Sequence, residues 1–147
     1  MPQANWRYLQ FRVGQQWYGI DVNDVIEVLP FMWLTELPGT TADVLGMMTL
    51  RDMVMPVLDL RLHFGQPNAL LQLDSPIIAV RSAHGPLALV VDDVDDLEHV
   101  SEEQIAAQNG DDSPYVTGFA RLPNHLLLLL DVSLLRAKTS SERAPAQ

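Results

Sequence analysis

The 147-residue chain carries 19 aspartates and glutamates and 4 histidines able to act as general bases or metal ligands, but nothing in their spacing singles out a convergent set. There is no cysteine, which removes thiolate catalysis, disulfides and thiolate zinc sites together. The four histidines, His63, His84, His99 and His125, include no i, i+4 pair of the kind that sets two imidazoles on one helix face. His84 and His125 fall in expected turns and read as solvated. The densest carboxylate run is Asp92-Asp93-Val94-Asp95-Asp96. It lacks the glycine and closing glutamate of a calcium loop, and on a strand alternate residues face opposite sides, so its acids cannot all converge. It reads as an acidic exposed edge that resists edge-to-edge pairing. No serine sits in a nucleophile elbow, and no glycine-rich loop has the form of a phosphate cradle. The residues therefore name no catalytic group, no cofactor and no metal ligand, and the chain reads as a non-enzymatic binder.

One pair stands out electrostatically. Glu27 ends a short apolar stretch, and Arg51 sits at an expected hairpin tip among large apolar residues. A guanidinium so placed can pair with a carboxylate. Two readings stay open: a structural salt bridge between Glu27 and Arg51, or a contact surface for a partner, and one ion pair can do both. Met32, Trp33, Met47, Met48, Met53 and Met55 add large, adaptable side chains suited to interfaces, although core packing is their commoner use.

Composition narrows the partners. A formal net charge of −10 argues against nucleic acid and against anionic membrane surfaces, and it suits basic protein partners. With 48% hydrophobic residues there is enough apolar material for an interior. The opening Met1-Pro2-Gln3-Ala4-Asn5-Trp6 has no basic or apolar region of a signal peptide, and Leu126–Leu130 is too short to insert in a membrane. The expected location is cytoplasmic.

The elements that must position these residues are short strands. Leu9, Phe11 and Val13 alternate with Gln10 and Arg12, and Trp17–Ile20 returns after a Gly14–Gln16 turn. Asp21 is placed to cap a short helix carrying Val22, Val25, Ile26 and Leu29 and stopped by Pro30. Phe31–Thr35 reads as a strand. Val44–Leu62 reads as two strands joined at Arg51-Asp52, with Pro56 suggesting an edge position or a bulge. Gly65–Asp74 reads as a linker. Ile77–Arg81 and Leu87–Val91 flank a turn at His84-Gly85-Pro86, and Asp93–Val100 is a further strand with Val94 inward. Ser101-Glu102-Glu103-Gln104 has capping-box spacing. Ala106–Ser113 reads as a loop, Tyr115–Arg121 and Leu126–Leu130 as a hairpin about Pro123-Asn124, and Asp131 as the cap of a helix through Arg136. Many short strands with regular turns point to barrels or a sandwich.

The order of these pieces resembles CheW, the coupling-protein family of bacterial chemotaxis. Tyr8-Leu9-Gln10-Phe11-Arg12-Val13-Gly14 with Trp17-Tyr18-Gly19-Ile20-Asp21 looks like the family's start, and Val25-Ile26-Glu27-Val28 like its short helix. Val44–Arg51 followed by Met55-Pro56-Val57-Leu58-Asp59-Leu60-Arg61 resembles its central signature. Leu87–Val94, Tyr115–Gly118 and Leu128–Asp131 resemble its second half. The likeness covers about Tyr8 to Leu135. It implies a mostly β, CheW-like fold: one domain over 1–147, built as two five-stranded SH3-like β-barrels packed on a shared hydrophobic core, with short helices. The approximate sub-barrels are 6–64 and 75–136, with room for exchange of terminal strands, and 137–147 is a frayed tail. The resemblance further implies an adaptor that binds a chemoreceptor's cytoplasmic tip and the regulatory domain of a CheA-type histidine kinase, recruited to membrane-associated receptor arrays. Carried over by position, Val25, Glu27, Gly46 and Arg51 fall on the receptor-facing part of the first barrel, and the groove between barrels would receive a receptor helix. At the hairpin the family usually has Asn-Leu-Arg-Gly. Here Thr49-Leu50-Arg51-Asp52 puts an acid beside Arg51, able to pair with it locally. That departure leaves open a pilus or second-messenger pathway, or a decoy that binds one partner only.

Overall fold

The structure, a computed structural model, describes residues 5–36, 38–65, 75–107 and 115–135. Its strands are β1 (Asn5–Val13), β2 (Gln16–Asp21), β3 (Val25–Leu29), β4 (Val44–Leu50), β5 (Met53–Asp59), β6 (Ile77–Ser82), β7 (Gly85–Val90), β8 (Asp93–Ser101), β9 (Ile105–Ala107), β10 (Val116–Arg121) and β11 (Leu126–Leu130). A single helical turn, α1 (Leu60–His63), follows β5, and 3-10 turns occupy Val22–Asp24, Glu102–Gln104 and Val132–Leu134.

The strands form two sheets, ordered β3-β6-β7-β5-β4 and β8-β1-β2-β11-β10-β9. Neither sheet comes from one half of the chain. The hairpin β1–β2 joins the strands of the second half, and the hairpin β6–β7 joins those of the first. The expected division into 6–64 and 75–136 therefore does not describe the sheets: the exchange involves whole hairpins, the opening one of each half. The strand counts are five and six, because Ile105–Ala107 pairs with β10 as an added strand where a loop is expected from Ala106 on.

Burial explains the interleaving. One apolar cluster lies between the sheets, with Leu9, Phe11, Val13 and Ile20 from one and Val44, Leu58, Ile78, Val80, Leu87 and Leu89 from the other. The opposite face of β5–β7 sends Val57, Ile77, Ala79, Ala88 and Val90 into a second cluster with Met48, Leu50 and Met55. A third, smaller cluster of Val100, Ala120, Leu127 and Leu129 gathers on the six-stranded sheet. Strands β6 and β7 are thus apolar on both faces, which is why they read as continuous runs.

Three aspartates end strands in the same way. The side chain of Asp21 accepts the Asn23 N–H at 2.9 Å, Asp59 the Arg61 N–H at 3.0 Å and Asp131 the Ser133 N–H at 3.0 Å. Each satisfies a donor that the first turn leaves open. After Asp21 the turn is shorter than its helical spacing suggests. Val22–Asp24 is 3-10, and Val25–Leu29 then becomes β3, because its β-branched residues pair with β6 over Val25↔Val80 to Leu29↔Ile77. Phe31–Thr35 is not a strand. Only Thr35 makes a bridge, to Met47, while Phe31, Met32 and Leu34 pack on the second cluster. The turn expected at His84-Gly85-Pro86 falls at Ala83-His84. The linker 66–74, the rest of the 108–114 loop and everything from 136 on lie outside the described residues.

Strand β5 lies between β7 and β4, so Pro56 is not on an edge strand. It is tolerated for a local reason. Met47, opposite Pro56, turns its N–H and C=O to Thr35, so the Met47↔Pro56 pair has no ladder bond to lose. On the other side the β5–β7 ladder begins only at Val57.

A buried cation ties the pieces together. Arg61, 5% exposed, donates to Asp59 (Nε–Oδ1 3.3 Å) and to Asp92 (Nη1–Oδ1 3.2 Å). The second oxygen of Asp92 accepts the Gly14 N–H at 2.6 Å, and the Asp92 N–H donates to the Arg12 carbonyl at 2.9 Å. Arg61 thereby connects α1, the β7–β8 junction and the β1–β2 turn. Removing it leaves Asp59, 2% exposed, as an uncompensated buried charge. Arg61→Ala is expected to destabilise by about 3–5 kcal/mol in urea unfolding. A loss below about 1 kcal/mol would show that the network does not hold the sheets together.

Candidate functional site

Strands β3 and β4 are the two outer strands of the five-stranded sheet. Arg51, in the turn just after β4, nevertheless reaches Glu27 on β3, with Nη2 donating to Oε1 at 2.8 Å. The sheet is rolled enough for its opposite edges to meet at this ion pair. Glu27 lies just past a register shift between Val25 and Glu27, which turns β3 relative to β6. Arg51 has φ 57, a left-handed conformation uncommon for a residue with a Cβ, which costs roughly 1–2 kcal/mol. The positive φ falls on Arg51 and not on Asp52, and the guanidinium bonds across the sheet to Glu27. Its side chain is 67% exposed, so it keeps donors open to solvent.

Gly46 serves this edge through its backbone. It sits at the β4 bulge with φ 152, and a Cβ there would come 2.5 Å from the Thr35 carbonyl oxygen. The absent side chain lets Thr35 and Met47 exchange N–H···O bonds of 2.9 and 2.8 Å, which hold the 30–36 segment against β4. Val25 is half-buried and packs on the inter-sheet core. The four residues singled out thus share one sheet, but only Glu27 and Arg51 touch and face outward together.

The apolar residues divide. Met48 and Met55 are core, Met32, Met47 and Met53 are half-buried, and Trp33 stands 94% exposed on the bridged segment. Val28, next to Glu27, and Val54, in the hairpin that carries Arg51, are also exposed. Sequence reasoning missed both. Val54 follows from alternation with Met53 and Met55 in β5, and from its pairing with the exposed Thr49.

The entry to β4 is fixed by a buried polar cluster. The Asp43 carboxylate accepts from the Thr41 hydroxyl and contacts His63 Nδ1 at 2.7 Å, and its carbonyl accepts the Asp59 N–H at 2.7 Å. Burial alone would raise the Asp43 carboxyl, but hydrogen bonds from Thr41 and His63 and the His63 charge together hold it below the usual carboxylate range. His63 Nε2 is buried without a partner among the described residues, beside the rings of Phe64 and Tyr115. His125 is not simply solvated in its turn: Nε2 bonds the Gln10 side chain, and its ring lies 5.7 Å from that of Trp17. In the acidic run, Asp92 faces Arg61 while Asp93 and Asp95 cap the following N–H groups on β8. Among the described residues there is no group of three or more His, Asp or Glu side chains placed to hold a metal ion. No helix among them is long and apolar enough to cross a membrane. What the outer edge offers is a guanidinium, a carboxylate and flanking apolar side chains, which is the equipment of a contact surface.

Comparison with known proteins agrees with this architecture. The CheW-like domain family model matches residues 7–139. The chain is 28% identical over 132 residues to a chemotaxis protein CheW of Klebsiella aerogenes, covering 87% of this chain and 80% of the relative. It is 27% identical over 148 residues to a probable chemotaxis protein CheW of Rhizobium etli, covering 98% and 96%. Among solved structures, the scaffolding protein TtCheW from Thermoanaerobacter tengcongensis superposes with a TM-score of 0.80 at 28% identity, covering 89% of this chain and 90% of that one.

Two measurements test the local geometry. Gly46→Ala combines a forbidden φ with a clash against backbone, and it is expected to destabilise by about 2–3 kcal/mol in chemical denaturation. A change under about 0.5 kcal/mol would mean that the Thr35–Met47 bridge yields freely. Because the folded Asp43 carboxyl titrates lower than the unfolded one, its stabilising contribution is complete above the unfolded value near pH 4 and is lost as pH falls towards the folded value. The stability difference between the parent and Asp43→Asn should therefore shrink on acidification below about pH 4. A difference that stays constant down to pH 2.5 would contradict this sign.

Proposed function

The chain belongs to the CheW-like domain family, and from that premise we propose that it is a non-catalytic adaptor coupling chemoreceptors to a CheA-type histidine kinase. The family is one of chemotaxis scaffold proteins, and the reading extends this to two simultaneous contacts. One is with a receptor's cytoplasmic tip, taken by the rolled edge that carries Val25, Glu27, Gly46 and Arg51. The other is with the kinase regulatory domain. The observation that carries the reading is the exposed Glu27–Arg51 pair, on an edge whose strands also expose Val28 and Val54. An ion pair with an Arg side chain 67% exposed contributes at most about 1 kcal/mol to folding, so stability alone is a weak reason for holding Arg51 at a strained φ. A fixed guanidinium with spare donors is instead suited to a helical partner that presents a carbonyl oxygen. Asp52 is exposed beside Arg51, and an acid there disfavours acidic partners next to the guanidinium without removing it from the surface. In this reading the protein works in the cytoplasm, recruited to membrane-associated receptor arrays through its partners.

The test is assembly. The protein, a receptor cytoplasmic fragment and the kinase regulatory domain are mixed and followed by analytical ultracentrifugation. A ternary complex is expected, with each contact on the order of 1 μM. Arg51→Glu should weaken the receptor contact at least about tenfold, leave the kinase contact within about twofold, and change folding stability by under about 1 kcal/mol. Binding of only one partner by the parent protein would instead establish a decoy. An Arg51→Glu protein that binds the receptor normally would remove this edge from the receptor contact.

A further inference from the structure

The six-stranded sheet carries an open concavity, on the other sheet from the Glu27–Arg51 edge, and we propose that it is a docking slot for an arginine side chain of a protein partner. The slot has a volume of about 450 Å3 and is open to solvent. One wall is aromatic. Trp6 and Tyr8 lie two apart on β1, so both rings stand on the same face of the strand. Ile105 and Leu129 supply apolar surface. Gly118, also in the lining, lets β9 approach β10 closely, because a Cβ there would come 2.9 Å from the Ala106 carbonyl oxygen.

The acidic member is Glu102, which opens the 3-10 turn after β8. That turn is fastened at both ends. The Ser101 N–H donates to Gln104 Oε1 at 2.9 Å, and Gln104 Nε2 donates to the Arg121 carbonyl on β10 at 3.2 Å. The backbone that carries Glu102 is thereby held at the rim of the slot, where Glu102 is a lining residue. Further negative charge flanks Tyr8, which lies opposite Asp21 on β2 and Glu98 on β8, and directly opposed residues share a face. Burial first, and then the Asp21 charge, push the Tyr8 phenol above its ordinary value, so at neutral pH it stays a protonated donor with an intact π face.

Two π faces, one carboxylate and an apolar wall specify the occupant by chemistry. An anion is repelled, and an uncharged side chain leaves Glu102 unused. A guanidinium lies flat on an indole, turns its fork to a carboxylate, and rests its aliphatic stem on apolar surface. The formal net charge of −10 adds long-range attraction for a basic chain. An open slot suits a side chain still attached to a polypeptide, because the backbone that carries it must remain outside. This assignment stands independently of the adaptor reading, since it uses a different sheet and none of the same residues.

The test uses the whole chain and a defined probe. N-acetyl-arginine amide is titrated in the millimolar range while the Trp6 indole N–H and the Ile105 and Gly118 amides are followed by NMR. N-acetyl-citrulline amide, of nearly the same shape but uncharged, is the control. A saturable shift at these three positions is expected, at least about fivefold weaker with citrulline. Glu102→Gln, at an exposed position, should keep the melting temperature and weaken the arginine probe by about fivefold to tenfold. Equal binding of the two probes, shifts scattered over the acidic surface, no saturable shift, or an unchanged affinity in Glu102→Gln would each overturn the assignment.

Discussion

The hairpin β6–β7 has no polar face. Ile78, Val80, Leu87 and Leu89 must be covered on one side, and Ile77, Ala79, Ala88 and Val90 on the other. The strands β3, β4 and β5 flank the hairpin in its own sheet and close over one face, and β1 and β2 bring the six-stranded sheet against the other. Each buried aliphatic side chain of this kind contributes about 1.5–3 kcal/mol relative to exposure, so any topology that left one face wet would forfeit several such terms at once. The interleaved connectivity follows from this double demand.

Polar groups then fix what apolar burial leaves loose. Hydrophobic contact sets no register between sheets, whereas Arg61 has few ways to meet Asp59, Asp92 and, through Asp92, the Gly14 N–H. The same economy appears at the rolled edge. Glu27 and Arg51 are brought together from opposite ends of one sheet, Gly46 gives up a side chain so that Thr35 can approach, and Asp43 anchors the chain just before β4. The outward surface is therefore held by groups that contribute little area but admit few alternative geometries.

Local pattern was enough to read most strands, because alternation in β1 and continuous apolar runs in β6, β7 and β11 depend only on near neighbours. The β4–β5 hairpin about Arg51-Asp52 and the caps at Asp21 and Asp131 were legible for the same reason. What failed depended on distant partners. Val25–Leu29 has helical spacing as well as β-branched residues, and β6, some fifty residues on, decides in favour of the strand. Ile105–Ala107 is a strand only because β10 offers an edge. The assignment of strands to sheets was not legible, since nothing near β1 says that it will pair with β8. In the candidate site, Glu27 and Arg51 were conspicuous as charges in apolar surroundings. The reason for Gly46 was not, because it lies in the Thr35 carbonyl oxygen and not in Gly46 itself.

The placement of β11 beside β2 has a consequence for the birth of the chain. Strand β2 finds its parallel neighbour, at Tyr18↔Leu128 and Gly19↔Leu129, only in the last strand described, about a hundred residues further along the chain. Until β11 has been made, the opening hairpin keeps an unsatisfied backbone edge along β2. Such long-range closure slows folding and lengthens the time during which foreign strands can add to that edge. For a member of a family of scaffold proteins, the moment of greatest promiscuity comes before folding is complete, and β11 is what ends it.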